Sequence, residues 1–278
     1  MKRTTFLVAA ALVCVFAVAG QAQLLKRTTT KTDSIPFGAG STLSIAGAPL
    51  GSVKVSSTSR DTVEITATIE VQAANEADLA GAAVLTGFVT DESLGRVSIV
   101  SVGADTRRKM TSAEKKLVKN LKGMPYRIDY VIGVPKYCNI EIDAGQGEME
   151  ISGAQGNHRL NAIDANATVS LSGGNFTSVI AKGKLDITIP SSGWRGVGID
   201  AQVATGDISI TLPAKLSADI DAAILRTGEI ANTFATLKPR DRKVPFTDKL
   251  IRAKAGAGGI SIKLSVGDGS LYLQPLVE

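Results

Sequence analysis

A chain of 278 residues that is 44% hydrophobic is long enough for one large β domain or two ordinary ones, and too apolar for disorder to be the default. Aromatics are only 4% while glycine numbers 28, so small and β-branched side chains must fill the interior, which suits thin stacked strands. The net charge of +5 is mild, with two units from Lys2 and Arg3; it does not by itself imply a polyanion partner, and scarce aromatics argue against nucleic acid.

Lys2 and Arg3, the uncharged run Phe6 to Gly20 and the small residues of Gly20-Gln21-Ala22 read as a signal peptide over residues 1–22. The mature chain is then expected to be exported, to the periplasm, cell surface or extracellular space. The run is short for a bilayer crossing and no later segment is long and apolar enough, so a membrane span is not expected. Cys14 follows Val13, where a lipoprotein signal wants a small residue, and it would leave with the peptide. Cys138 remains as the one mature cysteine, which allows no intramolecular disulfide and favours a buried thiol over a dimerising one.

Residues 23–33 are Thr-rich with Lys26, Arg27 and Lys31, and read as a flexible lead-in. Residues 34–134 read as a β region with helical insertions, either capping or beginning the stack that follows. Thr42 to Ala46 and Ser52 to Ser56 alternate, and TVEITATIEV from Thr62 to Val71 alternates strictly. Asn75 then offers an N-cap, with Asp78 in the first turn and a stripe of Leu79, Ala80, Ala83 and Val84 ending before Gly87. Arg96 to Val102 and Tyr126 to Val134 return to strand.

Between those two strands lies a basic segment, residues 104–123, in which Thr111 and Glu114 match a capping box and Leu117, Val118 and Leu121 make a stripe. Around the stripe stand Arg107, Arg108, Lys109, Lys115, Lys116, Lys119 and Lys122. Two readings stand side by side. The cations could meet an anionic lipid, lipopolysaccharide or acidic wall polymer, or the helix could simply close the end of the stack.

Residues 135–278 carry an internal repeat. Ile-Asp-Ala occurs at 142–144, 163–165, 199–201 and 220–222, with degenerate copies at Ile180 and Ile251. Alternating strands recur alongside it, among them Gly147-Glu-Met-Glu-Ile151, Ala167-Thr-Val-Ser-Leu171, Gly183-Lys-Leu-Asp-Ile187, Gly206-Asp-Ile-Ser-Ile210, Gly258-Gly-Ile-Ser-Ile262 and Gly269-Ser-Leu-Tyr-Leu273. A period near twenty with glycine at the turns predicts an all-β solenoid, like a right-handed β-helix, with rungs of about twenty residues and one or two short helices in the N-terminal half. A two-sheet sandwich is the alternative architecture.

With its Gly-Asp-Ile-Ser-Ile and Gly-Gly-Ile-Ser-Ile units and Val134-Pro135-Lys136 before them, the run from Pro135 to Pro275 resembles the exported bacterial family known as putative adhesins, and the related head domain called GIN. The resemblance implies a β-helix-like fold and a surface or envelope role, and it supplies no catalytic residues.

Catalytic constellations lack parts. His158 is the single histidine, read as an exposed turn residue in Gly156-Asn157-His158-Arg159, and with one mature cysteine it leaves zinc, Cys-His and Ser-His-Asp sites incomplete. Asp143, Asp164, Asp200 and Asp221 share one repeat position and are expected to stack in an outward column. That column is either an ordinary solvated face or, less in keeping with calcium's need for six or more oxygens, a Ca²⁺ site between rungs; no other cofactor is expected. Val266-Gly-Asp-Gly-Ser270 is a single weak copy of a calcium-type turn, AKAGAGG at 253–259 lacks the parts of a phosphate loop, and Trp194 is either a sugar platform or a packed corner residue. The sequence therefore points to a non-catalytic binding or scaffolding protein of the envelope with a protein, glycan or anionic-surface partner; alternatives are a structural or stress protein without a ligand, and a polysaccharide-acting β-helix enzyme.

Overall fold

The computed structural model describes residues 24–104, 106, 118, 121–191 and 194–276. The segment assigned to a signal peptide lies outside them. So do Arg107, Arg108, Lys109, Lys115, Lys116 and Lys119, leaving Lys122, which is exposed, as the described cation of that set.

The molecule is all-β. Its strands are β1 (Leu25–Pro36), β2 (Thr42–Ala46), β3 (Val53–Thr58), β4 (Thr62–Ala73), β5 (Gly87–Ser93), β6 (Arg96–Val102), β7 (Tyr126–Pro135), β8 (Asn139–Ser152), β9 (Gly156–Ser170), β10 (Gly174–Thr188), β11 (Gly196–Leu212), β12 (Ala218–Thr227), β13 (Ile230–Asn232), β14 (Lys238–Pro239), β15 (Leu250–Ala255), β16 (Ile260–Asp268) and β17 (Leu271–Pro275). A helix, α1 (Glu76–Leu85), follows β4, capped by Asn75, whose side chain accepts from the Asp78 amide. The strand alternation and this cap were legible. The helix stripe is rotated from the expected one: Leu79, Gly81, Ala82 and Leu85 are buried and Val84 is exposed.

The centre of the fold is four long strands, β8 to β11, each parallel to the next and in register along its length. Only Gly153–Gln155 joins β8 to β9, and Leu171–Gly173 joins β9 to β10. Parallel neighbours normally need a crossover of about a dozen residues or more, so each strand must itself double back. The burial phase records the corner: in β8, Ile140 and Ile142 are buried on one arm and Met149 and Ile151 on the other, with Asp143 to Glu148 unburied between. Step length follows from the partners Ile140, His158, Phe176 and Ile199, which are 18, 18 and 23 residues apart.

The two arms extend into two faces of one open arrangement. Face A runs β5, β6, β2, the first arms of β8 to β11, β16, β12, β15 and β14. Face B runs β1, β4, β7, β3, the second arms of β8 to β11, β17 and β13. Their inward aliphatics belong to one core, from Ile35 and Leu43 to Leu271 and Leu273. Residues 34–134 and 135–278 share that core, because β2 and β3 both pair with β8.

Two expectations change. The lead-in at 23–33 is largely β1, antiparallel to β4 from Leu25 to Pro36. Threonine favours extended backbone, and an edge strand exposed on both sides carries no apolar alternation to reveal it. The layers also leave chain order at the end: β16 lies between β11 and β12, so the C-terminal strands insert inside the layer made before them.

Candidate binding face

The in-register unit is not Ile-Asp-Ala. Ile199 and Ile220 share a column through Ile262, whereas Ile142 aligns with Leu160 and Ile180 with Ala162, and Ile163 is 64% exposed at the corner. Of the six alternating copies, the one at Ala167 is displaced by two residues and the one at Gly258 lies on the first arm, opposite Ala218 and Ile220. The four beginning at Gly147, Gly183, Gly206 and Gly269 do align: Met149, Ala167, Leu185, Ile208 and Leu271 form one buried column, and Ile151, Val169, Ile187, Ile210 and Leu273 the next. Before them stands a corner column of Gly147, Ala165, Gly183 and Gly206. At Gly206 φ is +130°, and a Cβ there would lie 1.8 Å from the Gly183 carbonyl oxygen. Backbones approach so closely at Gly147, Gly183 and Gly206 that glycine is required at those three, while Ala165 fills the same column in the remaining layer.

The repeat acids consequently do not form the expected column. On the outward side of face A the register runs Glu141, Arg159, Thr177, Asp200, Lys263, Asp221, Arg252, so acids alternate with cations. Glu141 is held by Arg96 at 2.7 Å, and Asp143, one position further out, accepts from Asn161 at 2.7 Å. Asp164 faces Lys182 at 3.6 Å across the corner, and Asp221 faces Arg240 at 3.2 Å. In the middle of this face charge is relieved by neighbouring side chains, and among the described residues no three metal-ligating groups converge. Asp268, in the calcium-like turn, is gripped by Arg226 at 2.6 Å and by Thr227, which together hold its carboxyl at about 2.

His158 is not a turn residue. The turn ends earlier, at Gly153–Gln155, and alternation places His158 inward between Ile140 and Phe176, 2% exposed. Its Nε2 donates to the Ala154 carbonyl at 3.3 Å, Nδ1 has no partner, and burial depresses its pKa. Cys138 is likewise buried, and desolvation pushes its thiol up to about 11. Trp194 is 6% exposed with its ring against Gly196, so it packs a corner and offers no sugar platform.

Two concavities open on face A. One, of about 670 Å³ at the corner, is lined by Pro49, Ala144, Ile163, Val179 and Ala181 with Asp143 and Asn161 beside them. The other, of about 460 Å³ at the far end of the face, lies between β12, β15 and residues 240–244; Asp221, Arg240, Asp241, Val244, Leu250 and Arg252 line it. The second site has one mark in the sequence, the charge run Lys238-Pro239-Arg240-Asp241-Arg242-Lys243, which matches none of the motifs considered above.

Several solved structures are similar. A putative cell adhesion protein from Clostridium sporogenes is 13% identical over 91% of this chain and 100% of that one, with a TM-score of 0.46. A putative adhesin from Bacteroides fragilis is 11% identical over 88% and 97%, with a TM-score of 0.40. A putative lipid binding protein from Parabacteroides distasonis is 12% identical over 88% and 96%, with a TM-score of 0.31. No protein-family model and no curated protein matches it. Among the described residues no helix is long and apolar enough to cross a membrane.

Proposed function

We propose that the chain is an exported, non-catalytic binding or scaffolding protein, built as a two-sided β-solenoid that holds face A rigidly toward an envelope or extracellular partner. One observation carries this reading. Along β8 to β11, side chains on each arm alternate between a continuous aliphatic core and outward columns of charged and polar groups. A side chain in such a column is fixed by the strands on both sides, so a ligand meets groups already in place and less ordering entropy is lost on binding. Eleven strands at about 4.8 Å give face A a length near 48 Å, enough for many modest contacts in series.

The test is retention of the purified chain on fractionated bacterial envelope, wall and membrane separately, with a parallel screen for turnover of uronate and neutral glycans. Saturable retention without turnover is expected. Absence of retention on every fraction removes the binding role, and turnover restores the enzyme alternative.

A further inference from the structure

We infer that the far end of face A is a docking site for an anionic polysaccharide, with Arg252 and Lys254 as its central contacts; this deepens the proposed function by naming the partner's chemistry. The case begins with the charge balance. Lys238, Arg240, Arg242, Lys243, Arg252, Lys254 and Lys263 gather on β14, β15, β16 and residues 240–244, against Asp200, Asp219, Asp221 and Asp241; Asp221 stands opposite Arg252, Asp219 opposite Lys254, and Asp200 opposite Lys263.

All four carboxylates are already engaged, Asp200 by the side-chain amide of Gln202, which donates to it. Asp219 accepts from the Gly259 amide and lies 3.8 Å from Arg240, Asp221 accepts from Arg240, and Asp241 accepts from the Lys243 amide. Arg240 is consumed by two aspartates. Among the described residues, the side chains of the other six cations have no ion pair or hydrogen bond. Lys238 and Lys254 are moreover direct partners across β14 and β15, and like charges set opposite each other oppose strand pairing. An anion between them turns that repulsion into attraction. Nowhere in the middle of the face is there such a surplus, since Glu141, Arg159 and Asp143 neutralise one another there.

Shape and edge chemistry select the ligand class. Residues 240–244 rise over the sheet to make a cleft in which Arg240 and Arg252 stand with Asp221 and Asp241. Lys254 lies outside the lining, on the same exposed side of β15 as Arg252, and such a cleft admits a chain and not a flat bilayer. No aromatic side chain lines it, so nucleic-acid bases would find no stacking platform. The bordering strand β14 is two residues long and ends in Pro239, which has no amide hydrogen, so an acidic peptide could not extend the sheet there. A polymer bearing carboxylates or phosphates on a hydroxylated backbone matches what remains: spaced cations, with a fork at Arg252 for bidentate contact.

The experiment measures binding of the full chain to polygalacturonate, with dextran, single-stranded DNA and phosphatidylglycerol vesicles as comparison probes, across a salt series. Saturable binding to polygalacturonate alone is expected, weakening as salt rises. The Arg252→Gln/Lys254→Gln variant should lose at least about tenfold in affinity and show a shallower salt slope, with an unchanged thermal melt. Undiminished binding by that variant overturns this site, as does failure of the native chain to bind polygalacturonate, or equal binding to DNA or vesicles. Should the variant still be retained on envelope like the native chain, only the site is lost; should the native chain not be retained at all, the proposed function falls with it.

Discussion

At Gly206 a hydrogen is the only substituent the corner accepts. A methyl group would meet the Gly183 carbonyl at 1.8 Å in a backbone region that L side chains avoid. Gly206→Ala is therefore expected to cost about 3 kcal/mol, read as a lowered urea midpoint, whereas an exposed control such as Thr205→Ala should change little. Equal stability of the two variants would show that the corner relaxes freely. Cys138 makes a simpler prediction. A thiol with its pKa pushed to about 11 should resist iodoacetamide at pH 8 in the native chain and react on unfolding.

His158 sets an acid limit. Its pKa in the fold is depressed below the ordinary 6.5 by burial, outweighing the opposing hydrogen bond to Ala154, so the unfolded chain takes up a proton first. The stability contributed by the neutral ring is complete above about pH 6.5 and is lost as pH falls below it. The slope approaches about 1.4 kcal/mol per pH unit until the folded pKa is reached. His158→Leu should flatten the dependence of the urea midpoint between pH 7.5 and 5.5. A native-like slope in that variant would assign the acid limit to other groups.

Among the elements, β1 is the one most exposed to unwanted pairing. Among the described strands it pairs with β4 alone, and its positions opposite Ile65, Ala67 and Val71 are Asp33, Lys31 and Arg27. Charged residues on the core-facing side of an edge strand discourage a second copy from adding there, and Arg27 is tied to Glu76 of α1. Lys31→Val/Asp33→Val should therefore associate with rising concentration in sedimentation velocity while the native chain does not. A variant that stays at native size would show that α1, not charge, guards the edge.

The same strand shows why legibility ended where it did. Wherever a strand buries one face, as Thr62 to Val71 does, period-two alternation exposed it in the sequence; β1 buries only Ile35 and had no such mark. The repeat was visible for the same reason, but its register was not. Ile-Asp-Ala recurs at similar intervals because apolar-polar-small suits many outward-inward steps, whereas the second-arm unit is pinned by the corner where Gly147, Gly183 and Gly206 lead it. Spacing alone does not separate a motif that merely fits from one that is required. The basic run at 238–243 was equally visible, yet its importance depends on β15 bringing Arg252 and Lys254 beside it, a long-range pairing that no local pattern encodes.

At the scale of the molecule, layers of 18 to 23 residues pile their aliphatic columns into one core, and both faces inherit their order from that register. Shifting one layer by two residues would keep its apolar residues inward while displacing every outward charge, so the display on face A depends on register more tightly than stability does. The most direct test is disulfide trapping in a Cys138→Ser background. Thr168 and Asp186 are opposed on β9 and β10, whereas Asn166 opposes Lys184. The Thr168→Cys/Asp186→Cys pair should oxidise rapidly and completely, and Asn166→Cys/Asp186→Cys slowly or not at all. The reverse preference, or no trapping by either pair, would contradict the stacked register on which the fold and the face both rest.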